Sequence, residues 1–268
     1  DEVTVYLAHG AGTLCGKNLS TERSSTIGKE RKYNPALQKM TEDEFVSCLL
    51  SDQPFMPIYF GYNVELNRQG TLPTPDSVQA NIKTVEPGKN LVIDVRSAYD
   101  FRCGHVAGAF NIPAGDNDKF ETWAGSIIAP KEPIVIYGND MNEIHNAVRR
   151  LSAIGYDLQV KGYLLHNPNT TIHDVELIDA SKVQEKQAEY TVIDVRNSNE
   201  TGDPYYIQPL MIPLHELRSR LGELPNNKPV AVHCAGGYRS GIAASIIANA
   251  TDHTVYDISE SIVRAKSM

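Results

Sequence analysis

Short apolar runs rich in β-branched residues recur along the later part of the chain: LVIDV (91–95), PIVIY (133–137), TVIDV (191–195) and PVAVH (229–233). Runs of this length and composition predict strands buried on both faces of a parallel sheet. Between them the period changes. In NEIHNAVRRLSAIGY (142–156), Ile144, Ala147, Val148, Leu151 and Ile154 fall at helical spacing, and Gly155 is placed to end the helix. SGIAASIIANA (240–250) plays the same part later on. Strands alternating with helices predict an α/β fold whose parallel sheets are covered on both faces.

The same pattern is written twice. Asp94-Val95-Arg96 in LVIDVRSAYDFRCGHVAGAFNIP (91–113) reappears as Asp194-Val195-Arg196 in TVIDVRNSNETGDPYYIQPLMIP (191–213), and Ile112-Pro113 reappears as Ile212-Pro213. EPIVIYG (132–138) then matches KPVAVHC (228–234). Matched blocks in one order imply a duplicated domain. Residues 1–70 stand outside the repeat. They open on a strand-like DEVTVYLAHGAG and contain TEDEFVSCLLSD (41–52), where Thr41 and Glu44 fit a capping box and Phe45, Leu49 and Leu50 give an apolar face. The polar, turn-rich stretch from 71 reads as a linker, and LHNPNTTIHDVEL (165–177) marks the approximate boundary between repeats. The expected division is a front segment over 1–70, a linker over 71–84, and repeats over 85–172 and 173–268.

Composition adds exclusions. The 268 residues are 41% hydrophobic and 22% charged, and the net charge is −8. An acidic chain lacks the basic face that nucleic acid or an anionic membrane surface requires, and no apolar run is long enough to span a bilayer. Cys15, Cys48, Cys103 and Cys234 are far apart with no CxxC pair, which argues against a zinc ribbon and for reduced thiols in a cytoplasmic protein. The chain starts at Asp1 with no signal-peptide pattern, and is expected to be a piece of a longer protein.

One stretch carries chemistry: VAVHCAGGYRSGIAAS (230–245). A buried strand ending in Cys234 delivers sulfur to the carboxyl edge of a parallel sheet, where such sheets bind ligands. Ala235, Gly236, Gly237 and Tyr238 then form a short turn, in which the glycines allow positive φ and amides can converge on an anion. Ser240 is expected to cap the next helix, and Arg239 adds a positive charge. These features favour thiolate over thiol and suit a nucleophile. Cys15, Cys48 and Cys103 lack such a setting and read as packed structural thiols. Strand alternation points His233 away from the Cys234 side.

Cys-x-x-Gly-x-Arg-Ser after a strand, with VIDVR and IP upstream, resembles the active-site loop and opening motifs of rhodanese-type sulfurtransferases. The resemblance spans about 85–268 as two tandem domains. It implies that Cys234 takes a sulfane sulfur from thiosulfate or a persulfide, holds it as a persulfide cradled by residues 235–240, and yields it to a thiol or cyanide-like acceptor. Asp194 and Arg196 read as a supporting frame behind the loop. Two other readings stay open. Cysteine-dependent phosphatases use a similar cradle with one more residue between cysteine and arginine; the shorter loop here suits a terminal sulfur better than a phosphate ester. Alternatively, the repeats form a non-catalytic interaction module of a larger metal-dependent enzyme. The active copy also departs from its partner, with PYYIQP (204–209) where the first copy has GHVAGA (104–109).

In the first copy Gly138 replaces the cysteine and Glu143 replaces the arginine, so Asp140 and Glu143 put carboxylates at a site that should attract anions. No sulfur transfer is expected there, and the copy reads as scaffold, interface or docking surface.

AHGAGTLCGKNLSTERSSTIGKERKYNPAL (8–37), with LLSDQP (49–54), is similar to the C-terminal part of the metallo-β-lactamase fold, in its persulfide dioxygenase and glyoxalase-II-like branch. The whole chain thus resembles the back part of a metallo-β-lactamase–rhodanese fusion for sulfide handling. The His-x-His-x-Asp-His cluster of that fold is not in this sequence, and His9 alone cannot make a metal site. No cofactor is expected in this chain; iron or zinc would come with the full metallo-β-lactamase domain. Implied partners are a small sulfur donor, a thiol or cyanide-like acceptor and the missing domain. Nucleic acid and membrane are not among them, and homo-oligomers stay open.

Overall fold

The computed structural model describes residues 1–6, 22–51, 55–70, 82–200 and 208–258, leaving out the side chain of Thr170. The chain divides into two units, Asp1–Pro54 and Phe55–Met268. In the first, β1 (Thr4–Tyr6) pairs antiparallel with β2 (Ser24–Thr26), which leads into α1 (Ile27–Tyr33). The capping box forms at the start of α2 (Glu42–Leu50): Glu44 N donates to Thr41 Oγ1 at 3.3 Å and Thr41 N donates to Glu44 Oε2 at 2.7 Å. Phe45, Leu49 and Leu50 are exposed among the described residues.

The second unit begins with α3 (Tyr59–Gln69), which the sequence pattern had placed with the front segment. Aromatic packing decides otherwise. Phe55 stacks on Trp123 at 5.6 Å, and Tyr62 meets Tyr156 edge-on at 5.8 Å.

The repeats follow. The first comprises β3 (Leu91–Asp94), α4 (Ala98–Cys103), β4 (Ala109–Asn111), α5 (Phe120–Ile127), β5 (Ile134–Gly138), α6 (Met141–Ser152) and β6 (Val160–Leu165). The second comprises β7 (Val175–Leu177), α7 (Ala180–Glu185), β8 (Thr191–Asp194), β9 (Leu210–Met211), α8 (Leu217–Arg220), β10 (Val230–His233), α9 (Tyr238–Ala250) and β11 (Val255–Asp257). Both sheets are parallel. Their orders are β4-β3-β5-β6 and β7-β11-β10-β8-β9, so β9-β8-β10-β11 reproduces the first sheet strand for strand.

The extra edge strand β7 has a counterpart as well. Thr84 forms a parallel bridge with Tyr163, and Tyr163 N donates to Lys83 O at 3.0 Å. Residues 83–85 therefore line the first sheet, although the sequence reading ended its linker at 84. Gly162 permits this approach, because a Cβ there would collide with the Lys83 carbonyl. Gly155, in the left-handed region at φ 72°, turns the chain after α6 as its position predicts.

The two sheets share one continuous core running from Ile93, Ile136 and Tyr156 to Ile193, Val232 and Ile246. Helix α9 joins them. Ser245 Oγ accepts the Asn111 N–H of edge strand β4 at 2.9 Å, and Asn249 Nδ2 donates to Gly108 O at 2.9 Å. Arg218 adds a fork onto Glu132 at 2.8 Å through both terminal nitrogens. His105, from the GHVAGA motif, is buried and holds the connection between the repeats: its Nε2 lies 2.9 Å from Asp174 Oδ1, and its backbone pairs with Ile172. Among the described residues no helix is long and apolar enough to cross a membrane.

At the carboxyl end of each central strand the Asp-x-Arg motif closes on itself. Arg96 Nε and Nη2 donate to Asp94 at 3.0 and 2.7 Å, Arg96 N donates to Asp94 Oδ1 at 3.0 Å, and both side chains are buried. Removing one partner of a buried pair strands the other charge in the core. Asp94→Ala is expected to cost about 3–5 kcal/mol, read as a lower urea midpoint at unchanged slope. A loss below about 1 kcal/mol, the range of an exposed pair, would show that the pair is not a frame.

Candidate active site

Strand β10 is buried along its length and runs between β8 and β11, so the residue after it emerges at the carboxyl edge of the sheet. That residue is Cys234, 3% exposed. Ala235 and Gly236 face solvent, and Gly237 turns the chain into α9 at φ 93°. This left-handed turn swings the Gly237 amide inward, where it donates to Cys234 Sγ at 3.2 Å. Only Gly237 of the two glycines needs positive φ. Gly236 has open space around it, so the expectation that both glycines supply special backbone geometry holds for one.

Ser240 does not cap α9. Gly237 occupies the cap position, no described side chain makes the capping hydrogen bond, and Ser240 lies inside the first turn. Its hydroxyl donates to Gly237 O at 3.0 Å, and its oxygen sits 3.6 Å from Cys234 Sγ. The physical reason is the glycine turn, which starts the helix earlier than the serine. A helix of 13 residues with no capping side chain and no acidic residue in its first turn therefore begins at the sulfur. Such a terminus favours negative charge.

Arg239 carries a charge, but not an isolated one. Its Nη1 and Nη2 donate to Glu200 Oε1 and Oε2 at 2.6 and 2.7 Å, and its guanidinium lies over Trp123 of the first repeat at 5.8 Å. Burial opposes the charged form, while hydrogen bonds to Glu200 and the charges of Cys234 and Glu200, with a further hydrogen bond to Cys234, outweigh it and raise the pKa above the ordinary arginine value. Hydrogen bonding from Arg239 holds the Glu200 carboxyl below the usual carboxylate range. Glu200 also ties the loop to the frame behind it, since its carbonyl accepts Arg196 Nη1 at 3.1 Å and its Oε1 accepts Asn197 N at 3.2 Å.

Asp194 and Arg196 form the same self-closed pair as in the first repeat, with Arg196 Nε at 2.9 Å and Nη2 at 2.6 Å from Asp194 Oδ2. His233 is buried, its Nε2 3.8 Å from Asp194 Oδ2. Tyr238 is not a cradle donor. Its hydroxyl donates to Pro113 O of the first repeat at 2.7 Å, and burial pushes its pKa well up.

Sequence reasoning missed Glu200. The signal was there in the repeat: Asp100 and Glu200 each stand three residues after Ser97 and Asn197, and each carboxylate bonds back to that residue. Only the second copy has an arginine to receive the carboxylate.

The first copy keeps the geometry and inverts the charge. Asp140 caps α6, accepting from Asn142 N at 2.7 Å and Glu143 N at 3.0 Å. Glu143 turns inward, where its Oε2 accepts Asn139 N at 2.8 Å. A Cβ built on Gly138 would meet that oxygen at 3.1 Å. The carboxylate thus fills the space a cysteine side chain would enter. Elsewhere, Cys103 is exposed and Cys48 half-buried, unlike the packed thiols expected at both positions. Cys103 sits at the end of short helix α4, facing solvent rather than the sheet. No disulfide links Cys48, Cys103 and Cys234. Cys15, His9 and residues 204–207 of PYYIQP lie outside the described residues. Among the described residues no three His, Cys, Asp or Glu side chains are grouped to hold a metal ion.

Residues 74–166 match the family model of the rhodanese-like domain. The rhodanese-like span is the copy with Gly138, and it begins upstream of the Lys83–Val85 edge segment, earlier than residue 85. Among solved structures, a metallo-beta-lactamase from Staphylococcus aureus subsp. aureus COL is similar at 31% identity and a TM-score of 0.48, covering 62% of this chain and 45% of that one. The chain thus spans less than half the length of that protein. A rhodanese-related protein from Thermoplasma volcanium is similar at 29% identity and TM-score 0.30, over 33% of this chain and 92% of that one. A thiosulfate sulfurtransferase from Pseudomonas aeruginosa is similar at 13% identity and TM-score 0.32, over 73% of this chain and 44% of that one. No curated protein matches the chain.

The two glycines of the loop provide a paired test. Gly237→Ala puts a Cβ on a residue at φ 93°, a strain of about 1–2 kcal/mol, and draws its amide off the sulfur. Alkylation of Cys234 by iodoacetamide at neutral pH is expected to slow about tenfold, whereas Gly236→Ala leaves it unchanged. Equal rates in both variants would show that the Gly237 amide does not support the thiolate.

Proposed function

We propose that the chain is a rhodanese-type sulfurtransferase with Cys234 as its nucleophile. The observation that carries this reading is the Gly237 amide aimed at Sγ at 3.2 Å, at the start of a helix that no described side chain caps. A thiolate placed there is stabilised by an amide, by a hydroxyl able to rotate toward it, and by the helix terminus. The second sheet repeats the strand order of the first, which supports reading residues 173–268 as a second rhodanese domain beside the matched one. The sequence resemblance of residues 8–37 supports reading the front unit as the end of a metallo-β-lactamase fold, in a parent protein for sulfide handling.

Each half-reaction is a displacement at sulfur. With thiosulfate, the Cys234 thiolate attacks the outer sulfur, the S–S bond to the sulfonate breaks, and sulfite leaves with the electron pair. With an alkyl persulfide the leaving group is the alkyl thiolate. Cys234 then carries one extra sulfur as an anion, which the Gly237 amide and the Ser240 hydroxyl are placed to receive. A thiolate or cyanide attacks that outer sulfur and regenerates the Cys234 thiolate. In the first copy the Glu143 carboxylate occupies the corresponding space and Gly138 supplies no thiol there, so the first-copy loop takes no part in transfer.

Incubation with thiosulfate or a persulfide, followed by intact-mass measurement, is expected to add the mass of one sulfur to the unmodified protein and none to Cys234→Ser. Thiocyanate formation from cyanide should vanish in the same variant. Hydrolysis of aryl phosphates without sulfur gain would favour a phosphatase instead. Absence of sulfur gain and of hydrolysis would favour an interaction module.

A further inference from the structure

We infer that Glu200 is a specificity-determining residue: by occupying both terminal nitrogens of Arg239, it turns the Cys234 site away from doubly charged sulfur donors and toward singly charged persulfides. The inference rests on the sulfurtransferase reading and asks which donor such a site accepts. An arginine beside a reactive sulfur would ordinarily draw a small dianion by a bidentate fork. Here the fork is already committed, with both terminal nitrogens on one carboxylate at 2.6 and 2.7 Å and a further hydrogen bond from the side chain to Cys234. The nearby Arg196 is likewise committed, with its Nε and Nη2 on Asp194 and its Nη1 on the Glu200 carbonyl at 3.1 Å.

The charges around the loop then sum against an incoming anion. Among the described residues Arg196 and Arg239 are balanced by Asp194 and Glu200, so with Cys234 in the thiolate form that the proposed reaction requires one net negative charge remains. A dianion such as thiosulfate meets net repulsion there, and a persulfide with one charge meets about half of it. The first copy shows what the loop does without this balance. It holds Glu143 where Arg239 stands, and there the carboxylate bonds the loop backbone itself. Trp123 underlies the pair at 5.8 Å from the guanidinium, so Arg239 is held from the first repeat as well as from Glu200.

Glu200→Gln keeps the shape of the side chain and removes its charge, and Glu200→Asp keeps the charge. The donors are thiosulfate and hydroxyethyl persulfide, with Cys234 persulfidation followed by mass and steady-state transfer to cyanide. For Glu200→Gln we expect kcat/KM for thiosulfate to rise on the order of tenfold, mainly through KM, with the persulfide changed by less than about twofold and Glu200→Asp resembling the unmodified protein. Added salt should raise thiosulfate activity in the unmodified protein by screening repulsion, and should not raise it in Glu200→Gln. A purely structural role would lower both donors together and leave the salt response alone; that result, or equal gains with both donors, would overturn the inference. Sulfur transfer from neither donor to the unmodified protein would remove the sulfurtransferase reading itself, and this inference with it.

Discussion

A carboxylate buried at the end of a strand and gripped by the arginine two residues later fixes the working edge of both sheets. The pair is local enough to form wherever Asp-x-Arg follows a buried strand, because the Arg backbone amide and its side chain both reach the same carboxylate. Its cost is desolvation, and it is met by dense hydrogen bonding rather than by one contact. Its consequence is positional. Arg96 reaches on to the Gly104 carbonyl at 2.8 Å, and Arg196 to the Glu200 carbonyl at 3.1 Å. Each arginine therefore holds the segment that follows it against the strand end, and in the second repeat that segment brings Glu200 to the cysteine loop.

From this shared frame the copies diverge through one charge. At the fifth residue after the strand-end position the second copy has Arg239 and the first has Glu143. Arginine is long and reaches a carboxylate across the loop while staying beside the cysteine. Glutamate lacks a cation across from it, since Asp100 stands where Glu200 does, and turns inward to the nearest amide. With Gly138 in place of cysteine the inward carboxylate has room. The loss of nucleophile and the gain of acid thus complement each other structurally. Asp140 completes the change by capping α6, whereas the equivalent end of α9 stays without a side-chain cap at the sulfur.

The repeat made much of the fold legible. β-Branched runs located the central strands, helical spacing located α6 and α9, and the duplicated Asp-x-Arg located the frame. What stayed hidden depends on contacts distant in sequence. Nothing local says that α3 belongs with the repeats, because its aromatic partners Trp123 and Tyr156 lie far along the chain from Phe55 and Tyr62. The Ser240 misreading has a different origin. A serine before an apolar helix is a reasonable cap, but a left-handed glycine three residues earlier had already turned the chain. Glu200 escaped notice because its carboxylate meets Arg239 only across the loop, far along the chain.

The first repeat is built into the second. Helix α9 buries Ile242, Ala243, Ala244, Ile246 and Ile247, so apolar side chains cover it nearly all round. A helix of that kind needs structure on more than one side, and each isoleucine left uncovered forfeits about 1.5–3 kcal/mol. The second sheet supplies one wall. The first repeat supplies another, through β4 and the Ser245 bond to Asn111. The loop at the front of the same helix is held the same way, by Tyr238 on Pro113 and Trp123 beneath Arg239. The first repeat, with Gly138 at its strand end, therefore helps determine where Cys234 sits. Its packing surface matters to the second because the sulfur is positioned by a helix that neither sheet covers alone.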